Sequence, residues 1–225
     1  MKILLLILLG VGLFAILSFL FKRFQKDIIY VLAIGSAINA NIFSSTNYPI
    51  VTNDIVFGVD SVLYTLFVFC IFLVWLKFGK KDANSLLFSS VCSIIIGAVI
   101  ELVSNLSSNG FKNEFLNQFL LYLFSVVATF VAIKIMLLFL EKLKNKNKFV
   151  LCFLSVLIAS FIDSLIYFSL GAILSSLSGD FVLLLAGSYI GKLFAICLCL
   201  ICLLIIEKLE KTKTQNEKKC WIDND

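Results

Sequence analysis

Histidine is absent from the 225 residues. That removes the commonest general base and the commonest metal ligand. Proline occurs once, at Pro49, and glycine eleven times, so little in the chain breaks a long helix. Charge is scarce: Asp, Glu, Lys and Arg make up 15% of the sequence, against about 25% in soluble domains. There is no Gly-rich phosphate loop, which excludes ATP hydrolysis by this chain alone. There is no His-Glu-x-x-His element and no Ser-x-x-Lys pair at a plausible depth, so zinc-protease and serine-nucleophile chemistry lack their residues. Asp60 and Asp163 do not carry the motifs of a paired intramembrane aspartyl protease. The expectation is a chain that is not an enzyme and that uses no cofactor and no metal.

Cysteine, a zinc ligand, occurs seven times. Six of the seven lie in apolar runs, where a thiol behaves as a small hydrophobe. Cys197-x-Cys199-x-x-Cys202 has the look of a ligand cluster, but it lacks the fourth ligand that a structural zinc site needs.

What the chain has in abundance is apolar length. It is 61% hydrophobic with a mean hydropathy of +1.07, where soluble domains sit near 45–50% apolar. The predicted fold is all-α: a polytopic membrane bundle of about seven helices. The expected spans are Ile3–Phe21, Ile28–Phe43, Ile55–Leu76, Ser85–Asn105, Phe115–Leu140, Phe149–Leu174 and Phe181–Ile206. A signal peptide is the competing reading of the first run. Its length, the absence of a small-x-small cleavage site, and Lys22-Arg23 directly after it favour an uncleaved helix. Residues 1–27 form the first helix and a basic loop, 28–206 a six-helix core, and 207–225 a basic tail.

Basic residues in short loops mark the cytoplasmic side. One side takes Lys22, Arg23 and Lys26, then Lys77, Lys80 and Lys81, then the four lysines between Lys142 and Lys148, then five in the tail from Lys208 to Lys219. The other side takes only Lys2 and Lys112. The split alternates at every loop, which supports seven spans with the N-terminus outside and the C-terminus in the cytoplasm. The richness in Lys, Asn, Ile and Phe fits an AT-rich bacterial genome, hence a multi-pass protein of a bacterial plasma membrane. Its partners are then the lipid bilayer and a small-molecule substrate, with no nucleic acid; a homo-oligomer or an ATPase module stays open.

Within that topology the polar residues acquire depths. Asp163 lies about 21 Å along the sixth span and Lys192 about 16 Å down the antiparallel seventh, at 1.5 Å per residue. Both fall near mid-depth. A charge there costs about 2.5–3.5 kcal/mol on insertion scales and usually faces a bundle interior or a cavity. An Asp and a Lys at matching depth offset each other. Asn39, Asn41, Asp60 and Glu101 lie in the outer half, as do Asp54, Asn117 and Gln118. The pattern predicts a polar cavity opening outward, lined by Asn39, Asn41, Asp60, Glu101, Asp163 and Lys192. Each residue also has a plainer role. The Asp163–Lys192 pair can simply tie two helices, Asp60 and Glu101 can reach headgroups, and the two asparagines can bond between helices. Lys134 reads as an edge residue whose stem snorkels to the cytoplasmic surface.

Ser160-Phe-Ile-Asp163-Ser-Leu-Ile-Tyr-Phe-Ser, followed by Gly187-Ser-Tyr-Ile-Gly-Lys192, resembles the vitamin uptake transporter (VUT) family, which includes bacterial queuosine precursor transporters. Thr52-Asn-Asp54-Ile-Val-Phe-Gly58 resembles the family's Thr-Asp-rich entry to an early helix, and Asp60 would stand for the acidic residue that follows it. The proline often seen late in the family's last helix is missing here. The resemblance implies import of a 7-deazaguanine, whose adjacent N–H donors a carboxylate or Asn accepts, with Phe57, Tyr64 and Tyr167 as stacking partners. It also implies that the Asp163–Lys192 pair can act as a gate. Two other classes remain beside it. One is the substrate-binding subunit of an energy-coupling-factor importer, docking its ATPase module through a small-residue face such as Ala33-x-x-x-Ala37. The other is a membrane scaffold that transports nothing.

Overall fold

The computed structural model describes residues 10–19, 26–45, 49–52, 55–109, 113–173 and 181–222. They form helices α1 (Gly10–Phe19), α2 (Lys26–Ser45), α3 (Val59–Phe78), α4 (Lys80–Asn109), α5 (Asn113–Leu143), α6 (Lys148–Ile173) and α7 (Phe181–Ile222). A short antiparallel hairpin, β1 (Pro49–Thr52) and β2 (Ile55–Gly58), joins α2 to α3. Five of these helices, α3 to α7, contain stretches long and apolar enough to cross a membrane. The protein is therefore a helical bundle of multi-pass type.

The hairpin is the first departure from the sequence reading, which began a span at Ile55. Pro49 fixes its own φ and disfavours helix in the residue before it, and it stands at the first position of β1, where a strand tolerates proline. Pro49 pairs with Gly58 and Thr52 with Ile55, a register that uses β-branched Ile50, Val51, Val56 and Ile55 in the ladder. The third helix accordingly starts at Val59. α2 is 20 residues long yet is not among the five apolar helices, because Lys26, Asp27, Ser36, Asn39 and Asn41 dilute it.

Loop boundaries also shift. The expected loop Lys77–Asn84 is almost entirely helical, and only Gly79 interrupts it. Its φ of 91° lies in the left-handed region that glycine enters without a Cβ clash. Its N–H bonds back to Val74 O at 3.2 Å and Trp75 O at 3.1 Å, closing α3, and its carbonyl accepts from Ala83 N at 3.2 Å. Polar residues do not end a helix that has left the hydrocarbon; a positive φ does. Likewise α7 continues through the expected tail to Ile222. Its 42 residues span about 63 Å, twice the hydrocarbon thickness of roughly 30 Å.

α3 is the centre of the bundle. It packs on α2, α4, α6 and α7, and 78% of its apolar stretch is buried, against 28–44% for the other four. Phe67, Phe69 and Phe72 are fully enclosed, with Phe69 and Phe72 stacked at 6.3 Å. In lipid this burial gains close van der Waals contact rather than release from water. Ala33 and Ala37 of α2 face the same interior, 0% and 1% exposed. The small-residue face considered as an ATPase dock is thus spent inside the chain. α1 is tied to α7 through Ser18 Oγ and Cys202 Sγ, 3.0 Å apart.

One end of the bundle is held by charge. Lys26 at the start of α2 pairs with Asp82 at the start of α4, 2.7 Å. Lys80 of α4 lies 3.9 Å from Glu141 at the end of α5, and Trp75 Nε1 of α3 donates to that carboxylate at 3.0 Å. Lys148 at the start of α6 reaches Glu207 of α7 at 3.4 Å. The loops expected to share one face therefore meet at one end. Lys134 donates to Asn84 Oδ1 and sits over the rings of Phe88 and Phe130 at 4.8 and 5.5 Å. Its ammonium thus bends toward this same end, as the snorkelling argument anticipates.

Candidate functional site

Asp163 and Lys192 meet. Asp163 lies 15 positions past the first residue of α6 and Lys192 11 positions past the first of α7. The antiparallel packing of these helices sets the two side chains level. Lys192 Nζ donates to Asp163 Oδ2 at 2.8 Å. It also donates to Ser164 Oγ at 2.7 Å and to Ser160 O at 3.4 Å. Those three acceptors match the three protons of an ammonium. The Tyr64 ring of α3 covers Lys192 at 4.5 Å, a cation–π contact. Asp163 Oδ1 accepts from Thr129 Oγ1 of α5 at 3.1 Å, and Ser164 Oγ lies 3.5 Å from Ser188 Oγ of α7. Asp163 is 8% exposed and Lys192 4%. The lysine is thus compensated on every proton, and its carboxylate by two donors.

A cleft runs along this network. Asn41, Asp60 and Tyr64 form one wall, Asp163, Ser164 and Tyr167 another, and Ser188 with Lys192 a third. Asn41 stands near the end of α2, Asp60 in the first turn of α3, Tyr167 and Phe168 late in α6, and Ser188 early in α7. In an antiparallel bundle all these positions lie toward the end opposite the Lys26–Asp82, Lys80–Glu141 and Lys148–Glu207 pairs. The volume is about 40 Å³, room for a few water molecules and too little for an aromatic ring.

Of the six residues expected to line a cavity, four do so: Asn41, Asp60, Asp163 and Lys192. Asn39 does not. It is exposed, and its Nδ2 turns back to Gly35 O of its own helix at 2.8 Å. Two residues apart on a helix means about 200° of rotation, so Asn39 and Asn41 cannot share a face. Glu101 is not in the cleft lining either; it accepts from Tyr122 OH of α5 at 2.6 Å, a local tie between α4 and α5. Of the expected stacking rings, Tyr64 and Tyr167 line the cleft. The side chains of Phe57, Asn117 and Gln118, and Asp54 as a whole, lie outside the described residues, as does the turn 174–180.

Residues that the sequence reading passed over complete the site. No role was assigned from sequence to Thr129, Ser164, Ser125 and Ser188, since small polar side chains are common between membrane helices. Ser164 and Ser188 could have been found from their places beside Asp163 and one turn before Lys192. Thr129 carries no local signal. The polar accounting around the cleft is also incomplete. Four buried side-chain atoms among the described residues lack a hydrogen-bond partner: Asn41 Oδ1, Ser61 Oγ, Ser90 Oγ and Ser160 Oγ. Asn41 lines the cleft, Ser61 follows Asp60, and Ser160 holds Lys192 through its carbonyl. Leaving such an atom unpaired costs about 1–3 kcal/mol.

The thiol motif does not converge. Cys197 is exposed whereas Cys199 and Cys202 are buried, so the three sulfurs do not share one face. No family model, curated protein or solved structure matches the chain.

Proposed function

We propose that this chain is a membrane transporter that imports a small nucleobase-like or vitamin-like solute. The 7-deazaguanine precursors of queuosine are the substrates that the VUT resemblance implies. The observation that carries the reading is the polar cleft around Asp163 and Lys192, set inside an apolar bundle and displaced toward the end opposite the lysine-rich one. With the lysine-rich end in the cytoplasm, the cleft faces outward, as an importer's loading site must. Intramembrane charges are costly and concentrate on substrate and ion pathways. Asp60, Asn41 and the rings of Tyr64 and Tyr167 supply the acceptors and stacking faces for a flat heterocycle.

The test is uptake of radiolabelled 7-cyano- and 7-aminomethyl-7-deazaguanine by bacterial cells that lack their own importer. Cells expressing this chain should accumulate label. Asp60→Ala and Tyr167→Ala should reduce the rate at least tenfold with the protein still in the membrane. Absence of uptake by the wild type at normal membrane levels refutes this substrate. The second reading, a scaffold that transports nothing, draws support from the complete satisfaction of Lys192. It expects the doubly neutralised Asp163→Asn, Lys192→Met variant to keep the protein's role intact.

A further inference from the structure

The charges around the cleft are unequal. Its one cation among the described residues, Lys192, already donates to Asp163, Ser164 and the Ser160 carbonyl, so no N–H remains for an incoming anion. What faces the cleft from α2 and α3 is acceptor chemistry. Asp60 contributes a second carboxylate. Asn41 is 5% exposed, its Nδ2 is fixed on Ala37 O at 2.9 Å, and its Oδ1 has no donor. From these observations we infer that the cleft selects hydrogen-bond-donating, neutral or cationic heterocycles and rejects anionic ones, with Asn41 and Asp60 as the acceptor edge that reads the ligand. The inference deepens the transporter reading and rests on it.

Asn41 Oδ1 is buried in this structure, and widening of the cleft uncovers it. A ligand N–H then fills an acceptor that was unpaired, so the gain is not offset by a bond lost elsewhere in the protein. A ligand cation near Asp60 gains charge-assisted bonding. A ligand carboxylate meets Asp60 and Asp163 and must also displace one of Lys192's three acceptors before it finds any donor on the lysine. Like charge in a partly desolvated site is strongly disfavoured. Solutes of vitamin-like size divide on this criterion, because some carry a carboxylate and others an amine or ammonium.

The experiment uses the purified full chain in lipid nanodiscs and a charge series on one scaffold. Binding of 7-aminomethyl-, 7-cyano- and 7-carboxy-7-deazaguanine is measured by calorimetry, alongside thiamine, a cationic heterocycle, and biotin, a carboxylate. The expected order is aminomethyl, then cyano, with the carboxylate weaker than the amine by at least a hundredfold. Asp60→Asn should cut the advantage of the amine over the nitrile to within about twofold, and Asn41→Leu should weaken both by a similar factor of roughly ten. Carboxylate binding equal to or tighter than the amine overturns the inference while leaving import of a deazaguanine standing. Binding of thiamine over biotin, with none of the three deazaguanines bound, sustains the charge rule and removes the proposed substrate. No binding of any of the five at millimolar concentration overturns both. The wild-type ranking decides the matter even if a variant fails to fold.

Discussion

Removing one member of the Asp163–Lys192 pair should be destabilising, and the two removals should differ. Loss of one partner from a buried ion pair costs about 3–5 kcal/mol, because the other charge is left uncompensated. Lys192→Met leaves the Asp163 carboxylate without its cation, with the neutral hydroxyls of Thr129 at 3.1 Å and of Tyr64 beside it. That variant belongs at the upper end of the range. Asp163→Asn leaves the ammonium with Ser164 Oγ at 2.7 Å, Ser160 O at 3.4 Å and the Tyr64 ring at 4.5 Å, and the new amide oxygen still accepts. That variant belongs at or below the lower end. Neutralising both leaves no charge to strand, and similar swaps elsewhere are near neutral. The double variant should therefore recover at least about 2 kcal/mol relative to Lys192→Met alone. Steric-trapping or mild-detergent unfolding of the purified chain reads these differences directly. A double variant less stable than either single one, or Asp163→Asn costlier than Lys192→Met, refutes the reasoning.

Tyr64 tests the cation–π contact separately. Its hydroxyl reaches Ala159 O only at 3.4 Å, a long bond, so Tyr64→Phe should cost under about 1 kcal/mol. Tyr64→Leu removes the face over Lys192 and should cost about 1–2 kcal/mol more in the same unfolding assay. At the lysine-rich end, the hydrogen bond to Asp82 raises the pKa of Lys26 above its ordinary 10.5. A raised folded-state value means the contribution is complete below 10.5 and fades as pH rises through the folded value. Unfolding profiles of wild type and Lys26→Met should therefore run parallel between pH 6 and 9 and converge only in strong alkali. Orientation is open to labelling. Ser188→Cys, placed in a cysteine-free background, should react with a membrane-impermeant thiol reagent added outside intact cells, and exclusive reaction from the cytoplasmic side would reverse the topology.

The helices were legible because the chain alternates apolar runs with basic loops, and because loops sharing a charge sign were bound to share an end. Lys26–Asp82, Lys80–Glu141 and Lys148–Glu207 are the physical trace of that alternation. The partnership of Asp163 with Lys192 was legible too, since two mid-depth charges on adjacent antiparallel spans have few other places to go. The central position of α3 was not. Every span in a bilayer is apolar all round, on faces that meet lipid and faces that meet protein alike, so composition does not rank helices by burial. Nor was the split between Asn39 and Asn41 taken from the sequence, although helical rotation alone separates them. Glu101 illustrates the limit of depth as a criterion: it lies at a suitable depth, but on the side of α4 that meets Tyr122.

The polar links that cross the cleft show where it can widen. Lys192 is held by Asp163, Ser164 and Ser160, so its hydrogen bonds join α6 to α7, and Thr129 adds α5. From α3, among the described residues, the Tyr64 ring, its long bond to Ala159 O and its hydroxyl beside the Asp163 side chain reach this group. From α2, Asn41 lines the cleft with an acceptor that is bonded to nothing. At the far end Trp75 and Glu141 fasten α3 to α5 at 3.0 Å, and Lys26 fastens α2 to α4. By polar links alone, the easiest motion is a hinge about that far end, moving the mouth of α2 and α3 away from α5, α6 and α7 while the ion pair stays closed. Its polar cost is that of the Tyr64 hydroxyl and ring contacts, roughly 1–3 kcal/mol, against about 3–5 kcal/mol for opening the pair itself. On this argument Asp163–Lys192 is the floor of the cleft rather than its gate. Spin labels on α2 and α6 near the mouth should show a longer distance when ligand binds, with labels on α6 and α7 unchanged; lengthening between α6 and α7 instead would restore the gate.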